Sequence, residues 1–456
     1  MRGGQAAMAG QGQGQQPAGH LLRVLGPAFA LAVGLGSVIG GGILRTPATV
    51  LDAVPDTSIA LLLWIAVGIH SLIQANVVCE VMTLWPKSGG QMIPAREAFG
   101  EPGGLLVGWT DWLGSVASIA SLALLGGEFL ALIFPDLATN KMGIAVAVLT
   151  AVVGARAGDR EGERSQLVGS ALKTLFLLGV VALIFVAVPA AAPMAKSDLS
   201  AAVTTAPFGF AALVIAYQTI IGAYAGWPNG AYFGGEDVDP GRNIPRAIFT
   251  TIITTGLLFI LVTFALNHAL TLAQLRQSKL PIADALTPLL GPDAVKLVAA
   301  GAALIVITCC NAGVMVASRV LYALAEDRLF PSVAGRVNRG GSPWVALAMT
   351  FIAALGLVFT GSFETVFVIM AALGIVPTLV VELSLFKLRR DQPDLGRPWR
   401  ARLYPWLPAL AIVLDAGLLS GFVIADPKSG LFIIGAIAIV LPIGLVMSRR
   451  RHEIAT

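Results

Sequence analysis

The sequence predicts an all-α polytopic membrane protein with about twelve transmembrane helices, and three observations carry that prediction. Of 456 residues, 56% are hydrophobic and only 12% charged, where a soluble domain carries about 25% charged residues. So much apolar surface exceeds what one globular core hides, and the remainder must face lipid. A hydrocarbon layer about 30 Å thick takes roughly 20 apolar residues per helix. That ruler gives segments centred near residues 38, 70, 120, 148, 180, 222, 258, 308, 352, 375, 415 and 438. Finally, Lys and Arg alternate between the connecting loops, dense in one set and sparse in the other, as cytoplasmic loops do relative to outer ones.

Taken in order, residues 1–20 are Gly- and Gln-rich with no apolar run, so they read as a disordered cytoplasmic terminus and not as a cleaved leader. Residues 21–192 hold the first five spans, 206–388 the next five and 404–448 the last two, with 449–456 as a cytoplasmic tail. With both termini inside, the inner loops carry Arg156, Arg160 and Arg164, Arg242 and Arg246, and the cluster from Lys387 to Arg402. The outer loops keep isolated cations such as Lys141, Lys196 and Arg276. The expected location is the plasma (inner) membrane. The longest polar linker, from about Lys387 to Pro405, is too short to fold alone, which disfavours ATP-driven pumps and membrane-tethered enzymes. Cys79, Cys309 and Cys310 sit in apolar runs without metal-site spacing and read as small fillers. His20, His70, His268 and His452 are scattered. No metal, cofactor, nucleic acid or obligatory protein partner is expected.

Two spans are broken. The first reads GLGSVIGGGILRTP from Gly34 to Pro47, and the sixth reads GAYAGWPNG from Gly222 to Gly230. Glycine is about 1 kcal/mol worse than alanine inside a helix, and Pro228 removes a backbone donor and crowds the preceding turn. Non-helical backbone at membrane depth survives where it is buried in protein or lines a cavity. Interrupted helices at the start of two successive sets of five spans point to a transporter site at the midplane. Their amino ends suit a carboxylate and their freed carbonyls an ammonium, the two charges of an amino acid. The competing reading is that Gly36 and Gly40 form a small-xxx-small pair that packs helices. A nucleotide loop fails on spacing, because Ile39 stands where the third glycine belongs.

The string GSVIGGGILRTP resembles the unwound first helix of the amino acid–polyamine–organocation permease family. So do three further stretches, in order along nearly the whole chain. These are Glu80 through Lys87-Ser88-Gly89-Gly90 to Gly108-Trp109, then GWPNGAYFGGEDVDPGRNIPRA from Gly226 to Ala247, then Arg319–Ala323 with Asp327–Pro331. The resemblance implies a five-plus-five inverted repeat of the leucine-transporter type plus two extra helices, working by alternating access. It implies that Gly41 and Gly42 offer N–H groups to the substrate carboxylate. Val38, Gly222 and Ala225 offer carbonyls to its amino group, and Ile39, Gly40 and Gly226 complete the two strings. Tyr224 or Trp227 closes the pocket or simply packs. Glycine at 41 and 222, where the family often has serine and a bulky gating aromatic, implies a roomier pocket.

Lys173 lies in the apolar fifth span, SALKTLFLLGVVALIF. An intramembrane charge costs about 2.5–3.5 kcal/mol on insertion scales and is a functional hypothesis by default. It resembles the lysine that replaces sodium between helices one and eight in proton-coupled family members. A permanent strut, or a lysine snorkelling to the interface, is the alternative. Thr308-Cys309-Cys310-Asn311 offers thiols where sodium-dependent relatives of the fold have hydroxyls, and soft thiols suit a hard cation poorly. Glu80, Asp111, Glu128 and Glu382 relay protons or contact a cationic substrate, or are solvated or paired groups near helix ends. The run Glu236-Asp237-Val238-Asp239 with Arg242 and Arg246 reads as an ion-paired inner gate or a polar loop. The expected function is a secondary active transporter of amino acids or related amines, proton-coupled. An exchanger, a polyamine transporter and a non-transporting nutrient sensor are the alternatives. No nucleophile–base pair suggests an enzyme.

Overall fold

A computed structural model describes residues 25–134, 136, 141–157, 162–190, 209–278, 280–291, 293–338, 341–360 and 363–425, with scattered residues from 430 to 442. The expectations for residues 1–20, for the last span near 438 and for the tail from 449 lie wholly or mostly outside them. Helices account for nearly all the regular structure. In order they are α1 (Pro27–Val38), α2 (Gly41–Ala53), α3 (Thr57–Leu84), α4 (Met92–Ile133), α5 (Lys141–Ala157), α6 (Gly162–Ala187), α7 (Phe210–Tyr224), α8 (Pro240–Ala269), α9 (Leu272–Gln277), α10 (Pro281–Leu290), α11 (Asp293–Glu326), α12 (Trp344–Thr360), α13 (Phe363–Asp391) and α14 (Trp406–Ala425).

Among the described residues eight helices are long and apolar enough to cross a membrane, and α1 with α2, bent by 40° at their break, make a ninth span. Helices α5 and α12, 17 residues each, fall at the expected centres near 148 and 352. The chain is therefore a multi-pass membrane protein. Two short helices between spans seven and eight, α9 and α10, escaped the sequence reading. The signals were present, since Thr271 and Gln274 form a capping box and Pro281 starts α10 at a position where its missing N–H costs nothing.

The bundle is built around α4, along which α11 and α13 both pack. Helix α4 is 42 residues long but contains Gly100 at φ 72, a left-handed turn that sets Met92–Phe99 apart as a separate inner segment. The lipid belt is visible as exposed side chains such as Leu175, Val186, Ile352, Val413 and Ile424, which only an apolar solvent tolerates together. The linker after α13 is no free polar loop. Arg389, on the last turn of α13, and Arg397 both reach the fully buried Glu80 of α3, at 2.6 and 3.0 Å.

Candidate functional site

The first break falls where expected. Helix α1 ends at Val38, Gly40 is extended at φ −129 and ψ −156, and α2 starts at Gly41 with no side chain capping its free N–H groups. The second break has Ala225 leaving helical geometry, Gly226 at φ 101, and a 3₁₀ turn over Trp227–Tyr232. The two breaks lie against each other. Asn229 donates from Nδ2 to the Ser37 hydroxyl at 2.9 Å, and a Cβ on Gly42 would stand 3.0 Å from Ala223. At Gly226 a Cβ would meet that of Ser37 at 2.7 Å in a backbone conformation that L side chains rarely adopt. Gly226→Ala therefore costs roughly 1–3 kcal/mol and shifts the break. The expected result is a fall of at least tenfold in uptake rate per folded molecule, read by flux assay beside a melting curve.

A cavity of about 190 Å³ opens between the breaks and helices α4 and α13. One water needs only about 10–15 Å³, so a small solute fits. Val38, Gly40, Gly41, Gly42, Gly222, Ala225, Gly226 and Trp227 line it. Ile39 and Tyr224 are not among the lining residues. Ile39 turns its carbonyl to Lys173, and Tyr224 is buried between Trp64 and Phe259 with its hydroxyl 3.4 Å from the Trp64 carbonyl. Tyr224 is thus a packing aromatic. A Cβ on Gly222 would stand 3.1 Å from the ring of Phe367 in α13, and one on Gly41 would collide with Leu125 of α4. The two glycines admit close neighbours in the Cβ direction and also line the cavity. Apart from Asp111, which it singled out, sequence reading missed much of the polar lining. Asp111, Ser115 and Ser118 follow the spacing of one face of α4, while Gln74 and Thr378 come from α3 and α13.

Lys173 is fully buried. Its ammonium donates to the carbonyls of Gly36 at 2.6 Å and Ile39 at 2.7 Å, so it does not snorkel. It caps the carbonyl end of α1 where a helix leaves its last C=O groups unpaired. Gly36 does double duty, because a Cβ there would collide with Gln166 and stand 2.8 Å from the Ser170 hydroxyl. The next carbonyl, of Ser37, accepts from the Cys309 thiol at 3.0 Å. Thr308 donates back to the Leu304 carbonyl within its own helix, and Asn311 binds Gln166 at 2.7 Å. Among the described residues no cluster of three or more His, Cys, Asp or Glu is placed to hold a metal.

The other charges resolve into partners. Glu128 pairs with Arg45 and Asp111 accepts from the Tyr232 hydroxyl at 2.7 Å. Glu236 is held by Arg319 at 3.2 and 3.3 Å, not by Arg242 or Arg246 as the sequence suggested. Asp237 instead accepts from the Asn243 side chain and the N–H of Asp239, at the start of α8. These contacts close one end of the bundle. The backbone of Leu25 pairs with Glu236 and Val238 there, and Arg96 meets Asp327 at 2.9 Å.

Comparison with known proteins agrees with this geometry. A family model described as amino acid permease matches residues 25–447. The chain is 27% identical to the serine/threonine exchanger SteT of Bacillus subtilis, over 94% of its own length and 98% of that protein. It is 24% identical to the Bacillus subtilis amino-acid permease RocE, over 89% and 90% of the two chains. To the large neutral amino acids transporter small subunit 2 of Mus musculus it is 25% identical, over 84% and 73%.

Proposed function

The chain belongs to the amino acid permease family, and from that premise we propose that it carries amino acids or related amines across the plasma or inner membrane by alternating access, driven by protons. One observation carries the reading: two broken helices meet face to face at one cavity, with a buried ammonium bonded to the carbonyls of one break. In this reading the uncapped N–H groups of Gly41 and Gly42, at the positive end of α2, hold the substrate carboxylate. The carbonyls of Val38, Gly222 and Ala225 hold its amino group, and Trp227 covers it. The polar face Asp111-Ser115-Ser118 reads the substrate's side chain.

Lys173 stands where a coupling cation would bridge two helices. Its deprotonation removes the charge that holds Gly36 and Ile39, so proton occupancy and the shape of the break change together. Exchange is the second reading, favoured by the likeness to SteT over almost the full length of both chains. Both termini lie in the cytoplasm in this reading, by the distribution of Lys and Arg. In this reading the chain needs no obligatory partner subunit and acts as a transporter and not as an enzyme.

Purified protein in liposomes tests the proposal with a panel of labelled amino acids and amines, each with an imposed proton gradient and with preloaded unlabelled solute. Accumulation driven by the gradient is the expected result. Uptake only against preloaded solute makes the protein an exchanger. Saturable binding with no flux, in liposomes of verified orientation, overturns transport and leaves a sensor.

A further inference from the structure

Asp415 stands in the middle of the apolar helix α14 and is fully buried. An acid at that depth is a functional hypothesis by default, with its partners to be named. Helix α3 brings the donors that meet it. Both Asp415 oxygens accept from Gln74 Nε2, at 2.9 and 2.8 Å. His70, one turn earlier on α3, brings its Nε2 to 3.2 Å from the same carboxyl, without the alignment of a hydrogen bond. Its other nitrogen, Nδ1, lies 2.9 Å from the Tyr217 hydroxyl of α7, so the ring is held on both sides.

These contacts decide the orientation of one amide. A glutamine side chain can present either its NH₂ or its C=O to a given point. For Gln74 the reverse turn would set an amide oxygen against two carboxylate oxygens, acceptor on acceptor. With the nitrogen engaged by Asp415, Oε1 is the polar atom left over, and among the described residues nothing donates to it. Gln74 is only 6% exposed, yet it lines the cavity. The neighbouring polar groups are less committed. Ser115 and Ser118 carry hydroxyls that rotate to donate or accept, and Asp111 has Oδ2 occupied by the Tyr232 hydroxyl.

We propose that Gln74 is a specificity-determining residue whose Oε1, oriented by Asp415, selects substrates with a hydrogen-bond donor on the side chain: a hydroxyl, an amide or an ammonium. The proposal rests on the transporter reading of the cavity. An apolar side chain of the same size strips water from Oε1 and returns no hydrogen bond, and a buried acceptor left unpaired counts against that substrate. A hydroxyl that can rotate adapts to either kind of substrate, whereas an amide fixed from behind cannot. Asp415 and His70 do not line the cavity. They are positioning residues that act through the orientation of Gln74.

Thermal-shift titrations on the purified full-length protein in detergent test this without depending on flux. The probes are three pairs similar in shape and different in the donor: threonine and valine, asparagine and leucine, lysine and norleucine. Wild type is expected to bind the donor-bearing member of at least one pair about tenfold more tightly or better. Gln74→Leu is expected to bring that ratio within about twofold, mainly by weakening the donor-bearing member. Ratios near one in every pair for wild type, or a preference that Gln74→Leu leaves intact, overturn the role. Gln74→Met takes the place of a Gln74→Leu protein that does not fold, and the wild-type ratios decide alone if neither folds. Asp415→Asn still offers one oxygen to Gln74 Nε2 and should keep the preference, whereas Asp415→Leu releases the amide and should narrow it. Equal ratios in wild type and Asp415→Leu overturn the positioning by Asp415. Binding of both members of a pair without discrimination counts against Gln74 alone, whereas no binding of any probe together with no flux in liposomes counts against the transport reading itself.

Discussion

Lys173→Ala is expected to abolish proton-driven accumulation, lowering it at least a hundredfold, while the protein still inserts and binds substrate weakly. The argument starts from two carbonyls. Gly36 and Ile39 face Lys173 Nζ at 2.6 and 2.7 Å inside a fully buried pocket. Alanine removes both charge-assisted bonds, each worth about 1.5–3 kcal/mol, and leaves the carbonyl end of α1 without a partner next to the Cys309 thiol. The break then loses its fixed shape, and a substrate that needs the adjacent amino end of α2 finds it displaced. Lys173→Met separates the effects, since it fills the volume without the charge. If accumulation falls in Lys173→Met and counterflow persists, the ammonium is the coupling group. Equal accumulation in wild type and Lys173→Met shows that the ammonium is not the coupling group, whereas loss of both accumulation and counterflow makes the lysine a strut. Uptake measured with and without a pH gradient gives the answer directly.

How far the sequence foretold this arrangement depended on the kind of signal. Breaks were legible because Gly and Pro act locally: Gly40, Gly226 and Pro228 leave the helix whatever surrounds them. Lys173 was legible because a charge in an apolar run has no local explanation. Pairings were not. Glu236 has Arg242 and Arg246 within reach along the chain, yet Arg319 of α11, 83 residues away, holds it. The four histidines looked scattered, but α3 and α14 bring His70 to Asp415 across a separation no spacing rule spans. Glycine misled in a further way. Its lack of a side chain at 41 and 222 suggested empty space, whereas Leu125 and Phe367 come from other helices to use it. Absence of Cβ in a sequence says that something is close, and only the packing says whether it is ligand or protein.

The same distinction makes Glu80 the most sensitive position for stability. The sequence placed it near a helix end, where acids are usually solvated, but it is fully buried and holds three groups. Arg389 meets both its oxygens at 2.9 and 2.6 Å, Arg397 approaches to 3.0 Å and the Ala401 N–H donates at 2.6 Å. Through these contacts one carboxylate ties α3 to the end of α13 and to the linker leading into α14. Glu80→Ala leaves two guanidiniums facing each other without an anion, and breaking a buried pair in this way costs about 3–5 kcal/mol. Arg397 keeps its carbonyl partners Leu388, Gln392, Pro393 and Leu395, so it stays in place and its charge stays with it. Arg389→Ala removes one of the two cations and leaves Glu80 paired with Arg397, so its cost is smaller. The expected order of melting temperatures in detergent is wild type, then Arg389→Ala, then Glu80→Ala, with Glu80→Gln between the last two because it keeps an acceptor for Ala401. A Glu80→Ala protein that melts with wild type would show that the cluster is solvated and that the linker is held by other contacts.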